Sequence, residues 1–256
     1  MLMKFKDKTV IVTAGTKGIG KAVVEAFIEE GAQVATCSRN PEILTLENDR
    51  LLKVSGDIKE LNFLHEFHKS VEDHFDSCID ILVNNNGGPP PGPAISHGED
   101  AWNEAINGNL LSTVRMANLV IPGMIKSNWG RIINLTSATA KEPAPGMVLS
   151  NTTRAAVAAF SKTLAHEHGS DGITVNTILT GGVATERFQS LVQKQVESTG
   201  KTTEEIMDTI NKTIPVGYIS SPNEFAKYIL FIASEEAKFL TGTAIPIDGG
   251  ASKGTF

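Results

Sequence analysis

Cysteine is nearly absent: only Cys37 and Cys78 occur in 256 residues. Two thiols are too few for a disulfide framework in a chain this long, and neither stands at zinc-ligand spacing from a second candidate ligand. They read as two buried free thiols, and no metal site is expected. Positive charge is also in short supply, with 23 Lys and Arg against 29 Asp and Glu and a formal net charge of -6. Binding to a phosphate backbone depends on clustered cations, so the balance argues against a nucleic-acid partner. No run of about 18 apolar residues occurs, and residues 1–8 have no apolar h-region, which argues against a membrane span or a secretory signal. A cytoplasmic location is the expectation. Tyrosine is scarce too: Tyr218 and Tyr228 are the only two, and both fall late in the chain where packing explains them.

What is present is ample apolar material, 41% of the residues with 20% charged, enough to bury a sizeable core. Short β-branched or apolar runs recur at 8–13, 33–37, 51–54, 79–83, 131–135, 173–178 and 243–247, separated by stretches with helical periodicity. Strands that alternate with helices predict a parallel sheet. Near-continuous apolar strands such as Ile81-Leu82-Val83 predict that both faces are covered. Seven strands, and a phosphate-type turn after the first, favour an open α/β sheet of the doubly wound Rossmann type over a closed barrel. One domain spanning 1–256 is expected. Gly87 to Pro93 reads as a stiff loop over the carboxyl edge. The long interruption at 180–216 carries helical patterns around Phe188, Leu191, Val192 and Val196, then a capping box from Thr202 to Glu205. It reads as a substrate lid.

The first strand runs into Thr13-Ala14-Gly15-Thr16-Lys17-Gly18-Ile19-Gly20. Such a turn lets backbone approach a pyrophosphate and aims helix N-terminal amides at it. A chain selecting NAD(H) would carry an acidic residue at the end of the second strand to accept from the ribose 2′-hydroxyl. That place holds Ser38 and Arg39, and residues 32–41 contribute no acid before Glu42. Arg39 and Lys17 suit a 2′-phosphate, so NADP(H) is expected in preference to NAD(H). Arg39 as a solvated loop charge is the alternative.

Asn84-Asn85-Asn86-Gly87 after the fourth strand, Asn109 within Asn-Leu-Leu-Ser, Ser137 after the fifth strand and the terminal Pro246-Ile247-Asp248-Gly249-Gly250 give the pattern a family likeness. Over essentially its whole length the chain resembles short-chain dehydrogenases/reductases, and among them 3-oxoacyl-[acyl-carrier-protein] reductase-like members. Its glycine turn matches the family's Thr-Gly-x-x-x-Gly-x-Gly except that Ala14 replaces the first glycine, a mild change on size alone. The resemblance implies that Gly15, Thr16, Gly18, Ile19 and Gly20 cradle the phosphates. It also implies that Asp57 and Ile58 edge the adenine and that Asn84, Asn86 and Gly87 flank the ribose. For Asp57 a helix N-cap is an equal alternative. Thr185, with Val183 beside it, is placed by the same resemblance against the nicotinamide amide.

The family's Tyr-x-x-x-Lys pair falls here on Ser150-Asn151-Thr152-Thr153-Arg154. The resemblance therefore implies an active site of Ser137, Asn109, Ser150 and Arg154 that lacks the usual tyrosine and lysine. Ser150 and Arg154 share a helix face, but a serine hydroxyl is a far poorer acid than a phenol of pKa about 10. Lys141, on the loop after Ser137, is a candidate proton donor or carboxylate ligand, since a desolvated lysine titrates near neutrality. Pairing with Glu142 is its alternative. The expected activity is NADP(H)-dependent reduction of a small carbonyl compound, with an anionic substrate suited to Lys141, Arg154 and Arg187. Conjugate reduction of an enone is the second reading, because an enolate oxygen is steadied by hydrogen bonds alone. A dinucleotide-binding protein without turnover is the third. Small residues at Ala155, Ala156, Ala158 and Ala159 suit close helix packing, and the family resemblance implies a homodimer or homotetramer.

Overall fold

A computed structural model describes residues 3–255. Its centre is a seven-stranded sheet in the order β3-β2-β1-β4-β5-β6-β7, all neighbours parallel. The strands are β1 (Thr9–Thr13), β2 (Gln33–Ser38), β3 (Leu51–Ser55), β4 (Ile81–Asn84), β5 (Gly130–Leu135), β6 (Ile173–Thr180) and β7 (Ala244–Ile247). Each lies within two residues of its apolar run, because β1, β4 and β5 are buried along their whole length and must be apolar on both faces. The edge strand β7 is half exposed and tolerates Pro246, which donates nothing to a ladder.

The helices are α1 (Gly18–Glu29), α2 (Leu61–Phe75), α3 (Glu99–Ala105), α4 (Ser112–Ser127), α5 (Val148–His168), α6 (Glu186–Thr199), α7 (Thr203–Asn211) and α8 (Pro222–Ala233). On one face α1 and α8 pack together, burying Phe27 and Phe225 with Val10, Val12 and Val34. On the other face α2 and α4 bury Phe67, Val71, Met116 and Met124 against Ile11, Leu82 and Ile132, joined by Leu164 of α5. Two apolar layers against one sheet leave its carboxyl edge as the place where loops collect. The strand order reverses between β1 and β4, and a crevice opens at such a switch point.

Between β6 and β7 the chain leaves the sheet to form α6 and α7. Left-handed Gly200 (φ 71°) ends α6. The capping box then starts α7, with Glu205 N donating to Thr202 Oγ1 at 3.2 Å and Thr202 N donating to Glu205 Oε2 at 2.8 Å. Cys37 is buried as expected; Cys78 is not, because it lies in the short turn between α2 and β4, where the chain runs over the surface. Ala155 and Ala159 are exposed on α5. Among the described residues no helix is long and apolar enough to cross a membrane.

Phe225 is fully buried at the α1–α8 contact. Phe225→Ala should therefore lower the unfolding free energy by about 3–5 kcal/mol, read from a urea transition. A loss under about 1 kcal/mol would mean that this layer does not hold the sheet.

Candidate active site

The turn after β1 is wired to its neighbours. Gly15 N donates to Thr36 Oγ1 at 2.9 Å, and that hydroxyl donates to Val12 O at 2.7 Å. Asn85 Nδ2 donates to the carbonyls of Thr13 and Ala14 at 3.1 and 3.0 Å, while Thr13 Oγ1 donates to Asn85 O at 2.7 Å. A Cβ on Gly20 would sit 2.5 Å from Asn85 Nδ2 and 2.8 Å from Ala14 O, so only glycine lets α1 start this close to β4. Ala14 has φ 49°. Its size is indeed no obstacle, but its backbone lies in the left-handed region, where a Cβ costs about 1–2 kcal/mol.

The turn forms one wall of a cleft of about 720 Å³, well within the range of ligand sites. Of the residues singled out from sequence, Thr16, Lys17, Gly18, Ile19, Ser38, Arg39, Asp57, Ile58, Asn86, Gly87, Asn109 and Thr185 line it, and so does Arg187. Gly15 and Gly20 lie behind the lining as packing points of the turn. The expectation for Asn84 needs correction. Its side chain points into the interior and donates to Asn134 Oδ1 at 2.8 Å, and Asn85 lines the cleft in its place. Val183 is likewise buried, bridged to Ser220, so only Thr185 of that pair reaches the cleft. Asp57 is not the N-cap of α2, which is Glu60; its carboxylate accepts from Lys59 N at 3.0 Å at the cleft wall. Cys37 lines the same wall, and burial pushes its thiol up to about 12, so it is unreactive there.

The far end of the cleft is built by a helix irregularity. Residues Ile106–Leu111 between α3 and α4 form a π-turn, a feature frequent at functional sites. It brings Asn109 inward, where Nδ2 donates to Thr153 Oγ1 on α5 at 2.9 Å. Asn86 joins three elements: Nδ2 donates to Gly108 O at 3.0 Å, and Oδ1 accepts from Arg154 Nη2 at 3.4 Å. Arg154, only 8% exposed, also donates to Leu135 O at 3.2 Å, while its Nε–H has no acceptor among the described residues. Burial pushes this guanidinium down to about 10, and the neighbouring Arg187 charge pushes the same way. It stays protonated at neutral pH. Because burial lowers the folded value below the unfolded one, the charged form costs stability throughout the neutral range. That cost is lifted only as pH climbs from about 10 towards the unfolded value.

Ser137, Lys141, Ser150 and Arg154 lie beyond the lining of the cleft. Ser137 begins the short 3₁₀ turn Ala138–Ala140, which packs on α5, and its Oγ accepts from Thr139 N and Oγ1 at 3.2 and 3.1 Å. Its own O–H remains free to donate. Ser150 is buried one helical turn before Arg154. Lys141 is half-buried, and the expected partner Glu142 instead accepts from the backbone of Lys253 and Gly254. Two contacts were invisible in sequence because they join distant segments. Lys17 Nζ pairs with Glu186 at 3.1 Å, and Arg187 donates to Gly88 O and Pro89 O at 2.7 and 3.3 Å.

A family profile described as enoyl-(acyl carrier protein) reductase matches residues 13–252. The chain belongs to the short-chain dehydrogenase/reductase family. It is 31% identical to the 3-oxoacyl-[acyl-carrier-protein] reductase FabG of Vibrio harveyi, covering 97% of this chain and 98% of that one. It is 30% identical to the uncharacterised oxidoreductase YvrD of Bacillus subtilis, covering 98% of each. Among solved structures, L-sorbose reductase from Gluconobacter frateurii, complexed with NADPH and L-sorbose, superposes with a TM-score of 0.91 at 28% identity over 99% of this chain and 100% of that one. This short-chain dehydrogenase/reductase is thus an oxidoreductase by descent.

The strained turn residue gives a direct check. Ala14→Gly should raise stability by about 0.5–1 kcal/mol, the strain relieved less the added freedom of the unfolded chain. A lower melting temperature would show that Ala14 is not held left-handed.

Proposed function

We propose that this protein is an NADPH-dependent reductase of small carbonyl compounds, whose active site works without the tyrosine and lysine usual in its family. The observation that carries the cofactor assignment is at the end of β2. Ser38 Oγ lies there without a hydrogen-bond partner, next to exposed Arg39, and Arg39 has no ion-pair partner among the described residues. An orphaned hydroxyl beside a free guanidinium suits a 2′-phosphate, and an acidic residue for a 2′-hydroxyl is missing. The neighbour bound to NADPH supports the same choice.

In this reading the amides of Thr16, Gly18 and Ile19 hold the diphosphate, with Lys17 free to turn to it from Glu186. Asp57 and Ile58 edge the adenine, Asn86 and Gly87 the ribose, and Thr185 the nicotinamide amide. When bound, the cofactor would supply a hydride to a carbonyl carbon, with the electron pair of the C=O π bond moving to oxygen. Ser137 and Ser150 would donate hydrogen bonds to that oxygen, and the buried Arg154 cation would stabilise its growing negative charge. Neither serine surrenders a proton readily, so the oxygen would take its proton from solvent, with half-buried Lys141 the proposed relay. The segment 180–216 closes over the substrate as a lid, together with loop 88–93, which is bridged to the 141–147 loop at Gly92 and Met147.

A second reading rests on a specific observation: the matching family profile is that of enoyl reductases, and an enolate oxygen asks less of the Ser150 hydroxyl than an alkoxide does. Product analysis separates the two. An unsaturated ketone offered with NADPH should yield the allylic alcohol; the saturated ketone would establish conjugate reduction, and no product at all would favour a binding protein without turnover.

Cofactor choice is tested at Ser38 and Arg39. The wild type should bind NADPH at least about tenfold more tightly than NADH, and Arg39→Gln should remove most of that difference. Equal affinities in the wild type would overturn the assignment.

A further inference from the structure

We propose that Arg187, backed by Arg154, is the seat for a carboxylate on the substrate, so that the compound reduced is a keto acid. This rests on the reductase reading above and narrows its substrate class.

The two guanidiniums approach the segment 86–89 from different elements. Arg154 reaches Asn86 from α5, and Arg187 reaches the carbonyls of Gly88 and Pro89 from the first turn of α6. The plane of Arg187 lies on Gly88 so closely that a Cβ there would sit 2.6 Å from Nη2. All acceptors named for both side chains are neutral, and neither forms an ion pair among the described residues. Arg187 at the cleft wall and Arg154 buried behind it therefore lie close together with no acidic acceptor on either among the described residues, and Arg154 keeps an unpaired N–H. Such a corner is electrostatically incomplete. A carboxylate matches a guanidinium fork in shape and charge.

The cofactor's diphosphate is the other anion to consider. Adjacent side chains at the start of α6 divide the work: Glu186 points to Lys17 at the glycine turn, where the phosphates are held, while Arg187 points the other way, to Gly88 and Pro89. That segment leads into Gly92, which donates to Gly146 O at 2.7 Å on the loop that follows Ser137. Arg187 thus belongs to the substrate end. A keto acid anchored there by its carboxylate presents its carbonyl to Ser137 and Ser150.

The test uses NADPH-loaded protein and matched probes: 2-oxobutanoate, acetoacetate and levulinate, each beside its methyl ester. Quenching of bound-cofactor fluorescence reads affinity, and loss of NADPH absorbance reads turnover. At least one acid should bind about tenfold or more tightly than its ester. Arg187→Gln should erase that preference with the NADPH dissociation constant unchanged, and Arg187→Lys should restore part of it. Acids that bind in this way but are never reduced would uphold the carboxylate seat and end the reductase reading. Esters that bind and turn over as well as acids would overturn the seat and leave the reductase reading standing. A tenfold loss of NADPH affinity in Arg187→Gln, with acid and ester affected alike, would assign the pair to the cofactor and overturn the proposal.

Discussion

Among the described residues the Arg154 guanidinium is held in the interior without a counterion, and the candidate active site is organised around it. Charge is tolerated in a protein interior only when something returns the lost hydration. Around Arg154 that return is partial: the Leu135 carbonyl at the end of β5 and the Asn86 amide beyond β4 accept from it, and its Nε–H goes without. Those acceptors stand where they do because the strand order reverses between β1 and β4 in an all-parallel sheet, so that the loops after β4 and β5 gather at the same carboxyl edge. The π-turn at 106–111 completes the surround, since Asn86 is itself fixed by Gly108 O.

The same geometry separates two kinds of work along the cleft. At the glycine turn, backbone amides and the α1 N-terminus present a neutral but polarised surface, the proposed seat of the phosphates. Beyond the opposite end of the cleft lie the buried Arg154 and the hydroxyls of Ser137 and Ser150, the groups proposed to act on the carbonyl. The family's usual phenol gives a proton at the moment charge appears on oxygen. In the proposed reaction a serine in its place would stabilise that charge without removing it, and more of the burden would fall on Arg154. Lysine and arginine differ here: a buried lysine loses its proton readily, whereas arginine with a value near 10 remains a cation at neutral pH and keeps its field.

The fold was legible because β1, β4 and β5 are buried on both faces and so spell unbroken apolar runs. The capping box at Thr202 and Glu205 was legible because its chemistry is local. What lay hidden depended on orientation or on distance in the chain. Three consecutive asparagines do not reveal which side chain faces the crevice; the end of β4 turns Asn84 inward towards Asn134 and Asn85 outward to the turn. Ala14 looked harmless by volume, yet its difficulty is its φ angle. Val183 sat near Thr185 in sequence but pairs with Ser220 instead. The Lys17–Glu186 and Arg187–Gly88 contacts join residues far apart in the chain, and no periodicity signals them.

Stability and activity should therefore pull in opposite directions at one position. Arg154→Met replaces an uncompensated charge by an apolar chain of similar length, at the loss of two hydrogen bonds to neutral acceptors. Chemical denaturation of the ligand-free protein at neutral pH is the direct measurement. The account requires the variant to be more stable than the wild type, by about 1–3 kcal/mol, while losing hydride transfer. A variant that is less stable than the wild type would show that Arg154 holds the fold together and is not an unpaid charge kept for the reaction.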